Sequence, residues 1–348
     1  MRRYLATEIA SVVRRDSDNR PARGQSDSRA SSHLDELRVA ARWLGACSSA
    51  TNMSMPRQIF REQFYLITRR CAQRQNLLRP DEETNNAFLY CLIVAAIRYK
   101  IDILNTLAEA NHHHTVIYDR YGACPAFVEY FHKLFARCQN VLRGRWENFW
   151  AAQAPCITRL LDRDAVIDKL VYVATNPVKD HLVERVHHWP GANGYPNLLS
   201  GRPLTARRPR HFFRPDGPMP ESVTLNLTIP PELGPAADVI AEVKAGVAAV
   251  ERAVAERRHR DGTRIMGRKA VLAQSWKTTP KSTEPRRNLR PRFAGNVLNR
   301  TAALLGYRMF LDAYREARDR WSNRRSAIFP PGTYWLARFA GVPVAAAA

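Results

Sequence analysis

Residues Ile101–Asp119 read IDILNTLAEANHHHTVIYD. Two apolar, β-branched-rich runs, IDILNTLAE and HHHTVIYD, flank a short polar stretch at Glu109–Asn111. This pattern predicts two strands joined by a tight turn, a β-hairpin. Along HHHTVIYD the side chains alternate, so His112 and His114 share one face and His113 takes the other.

Working outward, QFYLITRRC (Gln63–Cys71) is aromatic and β-branched and predicts an earlier strand. Between it and the hairpin lies RPDEETNNAFLYCLIVAAIRYK. Asp81 can cap there, acids fill the first turn and an apolar run follows, which predicts a helix. After the hairpin, CPAFVEYFHKLFARCQNVLRGRWENFW has proline near its start and Phe127, Phe131, Leu134 and Phe135 at helical spacing. It is expected to be one helix. PCITRLLD predicts a fourth strand, and RDAVIDKLVYVATNP a helix stopped by Pro177, since a residue before proline is pushed out of the α region. The order β-α-β-β-α-β plus a further helix is that of a ferredoxin-like split βαβ fold in the α+β class. The expected sheet is antiparallel, with helices on one face and the other face free for a site.

The flanks differ in character. Residues 1–54, Ser/Arg/Asp-rich in part, are expected to be a flexible N-terminal leader. Residues 55–200 form the expected central domain. Residues 201–348 are expected to be a Pro/Arg-rich linker, GRPLTARRPRHFFRPDGPMPE, followed by a basic, mostly helical extension.

The chain has 348 residues and a net charge of +22. A basic excess of this size is the usual footprint of a polyanion binder, because each neutralised phosphate releases counterions. A GC-rich genome would explain the use of arginine over lysine, but explains the shortage of acids less well. The longest apolar run, Leu89–Ile97, is far short of the ~20 residues that span a bilayer. MRRYLATEIASVVRR makes a poor signal peptide. The six cysteines, Cys47, Cys71, Cys91, Cys124, Cys138 and Cys156, are scattered without a C-x-x-C. A cytoplasmic protein with reduced thiols and no membrane partner is expected.

His112 and His114, at i and i+2 on one sheet face, could hold one metal ion; two solvated histidines near a sheet edge are the plainer alternative. There is no H-E-x-x-H, and a second pair, His187–His188 in VHHWPG, follows no familiar ligand pattern. In KLVYVATNPVKDHLV (Lys169–Val183), Tyr172 and Asn176 are four apart and share a helix face. Alone they read equally as a half-buried aromatic and a helix-terminal cap. RHFFRP (Arg210–Pro215) could stack bases, whereas GRWENFW (Gly144–Trp150) reads better as the end of a packed helix. The basic run Arg264–Arg292 is a candidate phosphate contact.

Taken together, NHHHTVIYD followed by YVATNPVKDHLV resembles the single-tyrosine HUH transposases, and within them the REP-associated tyrosine transposases. In that family a strand carries an N-H-hydrophobic-H segment, and a later helix carries the nucleophilic tyrosine in a Y-[IV]-x-x-N-P-[VL] segment. The likeness spans roughly residues 57–200. It implies an HUH-type sheet with an added tyrosine-bearing helix. It also implies a metal-dependent transposase that cuts and rejoins single-stranded DNA at hairpins, with Tyr172 as nucleophile leaving a 5′-phosphotyrosine. His112, His114 and Asn176 would hold one Mg²⁺ or Mn²⁺. A homodimer is left open, since in relatives the tyrosine helix acts in cis or is donated by a partner. One departure is His113, where the family prefers a bulky apolar residue. The rivals are an inactive or domesticated DNA-binding relative and a metal hydrolase using activated water.

Overall fold

The computed structural model describes residues 56–280 and 291–346. The expected leader over 1–54 lies outside them, as do residues 281–290 of the basic run. The chain is α+β, built on a five-stranded sheet. Strands β1 (Gln63–Arg70), β2 (Asp102–Ala108), β3 (His112–Asp119) and β4 (Cys156–Leu160) stand in the order β2-β3-β1-β4, every neighbouring pair antiparallel. A short fifth strand, β5 (Phe293–Ala294), lies parallel to β4 at the edge. The hairpin forms where the sequence predicts it, Glu109 N donating to His112 O at 2.8 Å.

Helix α1 (Glu82–Tyr99) begins where Asp81 accepts from Thr84 N at 2.9 Å, with Glu82 and Glu83 in the first turn, favourable at the positive end of the helix. Arg143 ties its start to the end of α2 (Cys124–Leu142), bonding both Asp81 and the Thr84 hydroxyl. Helix α2 has no capping side chain of its own at its first position. Its opening amides are taken by Asp119 at the end of β3, which accepts from Ala123 N at 2.8 Å and Cys124 N at 2.7 Å. The two helices bury Phe88, Phe127, Phe131 and Phe135 against one face of the sheet.

Four expectations need correction. Helix α2 ends at Leu142, eight residues before Trp150. The GRWENFW segment is a loop that folds back, burying Phe149 and Trp150 in the core while Trp146 stays 90% exposed. Helix α3 (Arg163–Lys179) is not stopped by Pro177 but runs through it. The helix continues because Asp180 N bonds Asn176 O at 3.0 Å and Leu182 N bonds Pro177 O at 2.9 Å, and because Asn176, Pro177 and Val178 are all buried. Burial outweighs the local preference of the residue before proline.

The second sheet face is free only in part, with Thr68, His114 and Thr158 left lining a cleft. Helix α3 packs over the rest, chiefly on β2 and β3, and α4 (Ala236–Asp261) backs α3 with a stripe of Val239, Val243 and Val247. The segment after residue 200 is not a linker. Strands β6 (Leu204–Arg207) and β7 (Ser222–Leu225) pair as a second small sheet docked on α1. Tyr90 OH donates to Pro220 O at 2.6 Å, and Phe213 lies 5.4 Å from the Tyr90 ring. Phe212 and Phe213 therefore pack against the core rather than standing ready for bases. Helix α5 (Val297–Ser322) then follows β5, as its amphipathic pattern predicts.

Candidate functional site

The hairpin and α3 bring the four predicted residues together. Strand β3 sets His114 opposite Thr68 of β1, and the Thr68 hydroxyl lies 2.7 Å from His114 Nδ1. The hydroxyl can accept the Nδ1 proton, which leaves Nε2 with a lone pair; that nitrogen is buried and without a partner. His112 Nε2 accepts from the Asn176 amide nitrogen at 3.0 Å. Its Nδ1 then carries the proton and donates to Asn111 Oδ1 at 2.8 Å. The His112 and His114 rings sit 4.8 Å apart, and the Tyr172 ring is 5.2 Å from that of His114.

These residues fit a divalent ion on chemical grounds. Both imidazoles have Nδ1 committed to a neighbouring oxygen, the arrangement that fixes the tautomer of ligating histidines. His114 Nε2 remains for a ligand, whereas His112 Nε2 is held by the Asn176 amide nitrogen. Asn176 lies on the turn of α3 after Tyr172, and turning its carboxamide over would free the second Nε2 and bring the carboxamide oxygen beside both. Among the described residues no group of three His, Cys, Asp or Glu side chains could hold a metal, so the carboxamide is the third donor available here.

Sequence reading missed three neighbours. Glu109, taken only as a turn residue, is buried with its Oε2 3.8 Å from His112 Nδ1. Burial, then the nearby Asp180, pushes its carboxyl well above the usual range, although a hydrogen bond from Asn176 opposes this. Lys179 and Lys169 lie 5.1 and 5.7 Å from the Tyr172 ring centre. Burial, and secondarily Asp180 and Glu109, raises the Tyr172 phenol above its ordinary value. Burial also lowers the Lys179 ammonium. The lysines were legible as seven residues after and three before the tyrosine on one helix; Glu109 carried no such signal.

His113 faces the other way, as alternation requires. Its Nε2 lies 2.8 Å from Nε2 of His132 on α2, so the polar ring at this apolar position has its partner. His187 and His188 meet edge to face with ring centres 4.3 Å apart, in a separate cleft with Glu184 and Arg268, and take no part in this cluster.

No family model and no curated protein matches the sequence. Among solved structures, a REP-associated tyrosine transposase bound to a REP hairpin is similar, with a TM-score of 0.37 and 15% identity, over 48% of this chain and 91% of that one. A candidate transposase from Deinococcus radiodurans R1 has a TM-score of 0.24 and 16% identity, over 30% of this chain and 84% of that one. Likenesses this slight leave the reading of the site to its own geometry.

Proposed function

We propose that this chain is a metal-dependent endonuclease and strand transferase for single-stranded DNA, a transposase of the HUH single-tyrosine type on a ferredoxin-like sheet. The observation that carries the proposal is the convergence of His112, His114, Tyr172 and Asn176, from two elements about sixty residues apart in sequence, into one cluster. His112, His114 and Asn176 would hold Mg²⁺ or Mn²⁺, a donor set of imidazole and carboxamide that suits such ions. When bound, the ion would withdraw charge from a phosphate oxygen as a Lewis acid.

The chain's own contribution follows from the residues. The Tyr172 oxygen bonds phosphorus as the bond to the 3′-oxygen breaks, leaving a 5′-phosphotyrosine. The phenolic proton is balanced by the proton the departing 3′-oxygen takes up to become a hydroxyl. Burial and two nearby acids hold the phenol protonated, so cationic Lys169 and Lys179 beside the ring serve to favour the phenolate as substrate phosphate arrives. Phosphotyrosine keeps the phosphodiester energy, so a second 3′-hydroxyl can reverse the step and join strands. The motif resemblance assigns hairpin-bearing DNA as substrate, and the charge of +22 agrees with a polyanion.

A covalent-adduct assay tests this. Labelled single strands bearing the hairpins that flank the gene are incubated with protein and Mn²⁺ or Mg²⁺, then resolved on a denaturing gel. A shifted band is expected that chelator, Tyr172→Phe and His114→Ala each abolish. The buried, raised carboxyl of Glu109 beside His112 favours one other reading, a metal hydrolase in which a general base activates water. Cleavage that persists in Tyr172→Phe would establish that reading instead. Binding without adduct or cleavage would mark an inactive relative.

A further inference from the structure

A cleft of about 700 Å³ opens beside the tyrosine, with His114 and Tyr172 in its lining and Thr68 and Thr158 on its floor. Its far wall comes from residues 291–300, a stretch outside the span of the motif resemblance. That wall is fastened at several points. Arg159 N donates to Arg292 O and Leu161 N to Ala294 O, each at 2.8 Å, which seats β5 on β4. The Thr158 hydroxyl donates to Pro291 O at 2.8 Å. Asp162, the cap of α3, accepts from Asn296 N at 2.8 Å and from the Asn299 amide at 3.1 Å. At Gly295 a β-carbon would lie 2.7 Å from Asp162 Oδ2, so the close approach requires glycine.

Charge in the cleft is divided. Asp164 and Asp168 line it with exposed carboxylates, while Lys169 and Arg300 line it with cations. A DNA backbone cannot run along the carboxylates, but a base can. Carboxylates accept from exocyclic amino groups, and thymine presents a carbonyl where cytosine presents an amino group. Phe293, half-buried in the same wall, offers a ring to a base. Because His114 and Tyr172 open into this space, a nucleotide held here neighbours the phosphate they would attack.

We infer that the cleft is a nucleotide subsite in which Arg300 and Lys169 hold a phosphate flanking the scissile one, while Asp164 and Asp168 select an amino-bearing base. The inference rests on the nuclease reading for the identity of that neighbouring phosphate. Arg300 is a phosphate-binding and positioning residue, contributed by the segment that follows β5.

The test uses the full chain as Tyr172→Phe, so that no covalent step intervenes, with fluorescein-labelled oligodeoxycytidylate and oligothymidylate at neutral pH. Anisotropy titrations should show cytidylate binding tighter by about fivefold or more, the low end of one base-edge recognition. Asp164→Asn with Asp168→Asn should erase that preference. Arg300→Ala should weaken both strands alike and reduce the salt slope by roughly 0.7, the share of one phosphate contact on a single strand; Arg300→Lys should keep the slope. Cys156, a partly exposed thiol in the cleft, should be alkylated more slowly when cytidylate is bound, read by mass spectrometry on its peptide. Equal affinity for the two strands, an unchanged slope in Arg300→Ala, or an unprotected Cys156 would each overturn the inference. If these results hold but no adduct forms in the wild type, the nuclease reading fails and the subsite stands. If the adduct forms without base preference, only the subsite fails.

Discussion

His113 is the residue at which this chain departs most plainly from the family its motifs resemble. A polar ring in a dry core costs stability unless it is paired, and His132 supplies the pair at 2.8 Å among Phe88, Phe131 and Trp150. The two histidines form one buried pair. His113→Leu should therefore cost about 1–3 kcal/mol, because it strands the buried His132 Nε2. The double variant His113→Leu/His132→Leu should recover most of that loss in urea unfolding; a double variant no better than the single would show that the pair is not coupled. Protonation tests the same ring. Burial, then His113 and Arg69, holds the His132 pKa well below its ordinary 6.5. Below that pH the unfolded chain takes up a proton that the folded chain refuses. Stability from this group is thus complete above pH 6.5 and declines as the pH falls. The urea midpoint should drop between pH 7.5 and 5.5, and by less in the double variant.

At the scale of elements, the site depends on how α3 is held. Its outer side is gripped by α4 at Gly246, where a β-carbon would approach Val171 Cγ2 to 2.7 Å. Val171 precedes the tyrosine, and its branched side chain has little freedom to turn aside. Gly246→Leu should push the two helices apart, costing about 1–3 kcal/mol by overpacking. It should also lower adduct formation more than it lowers DNA binding, since it displaces the tyrosine helix and leaves the basic surface intact. Parallel adduct gels and anisotropy titrations separate the two effects, and equal losses in both would sink this account. Elements that repeat a period were legible in the sequence. The hairpin follows its alternation, α1 its cap and apolar run, and α5 its amphipathic spacing. The end of α2 was not, because aromatic residues at Phe149 and Trp150 continue the pattern while the backbone turns back to bury them.

Across the whole molecule, the segment after residue 200 covers the outer sides of the helices that pack on the two faces of the sheet. Leu204, Ala206 and Val223 pack on α1 and join its core, and Val239, Val243 and Val247 back α3 and join the other. A chain ended at residue 200 would expose both. It should bind a hydrophobic dye and lose the sharp thermal transition of the full chain; a cooperative melt close to wild type would refute this dependence. Among the described residues no helix is long and apolar enough to cross a membrane, consistent with the short apolar runs in the sequence.

The sequence by itself determined the strand–helix order, the face shared by His112 and His114, and the face shared by Tyr172 and Asn176. These depend on periods of two and of about four residues, which are local properties of the chain. Tertiary structure alone decided that these faces meet, that Glu109 lies buried beside His112, that α3 continues through Pro177, and that residues 291–300 wall the cleft. Each of these is a contact between distant segments, chosen by which apolar surfaces can be buried together, and no local pattern encodes it.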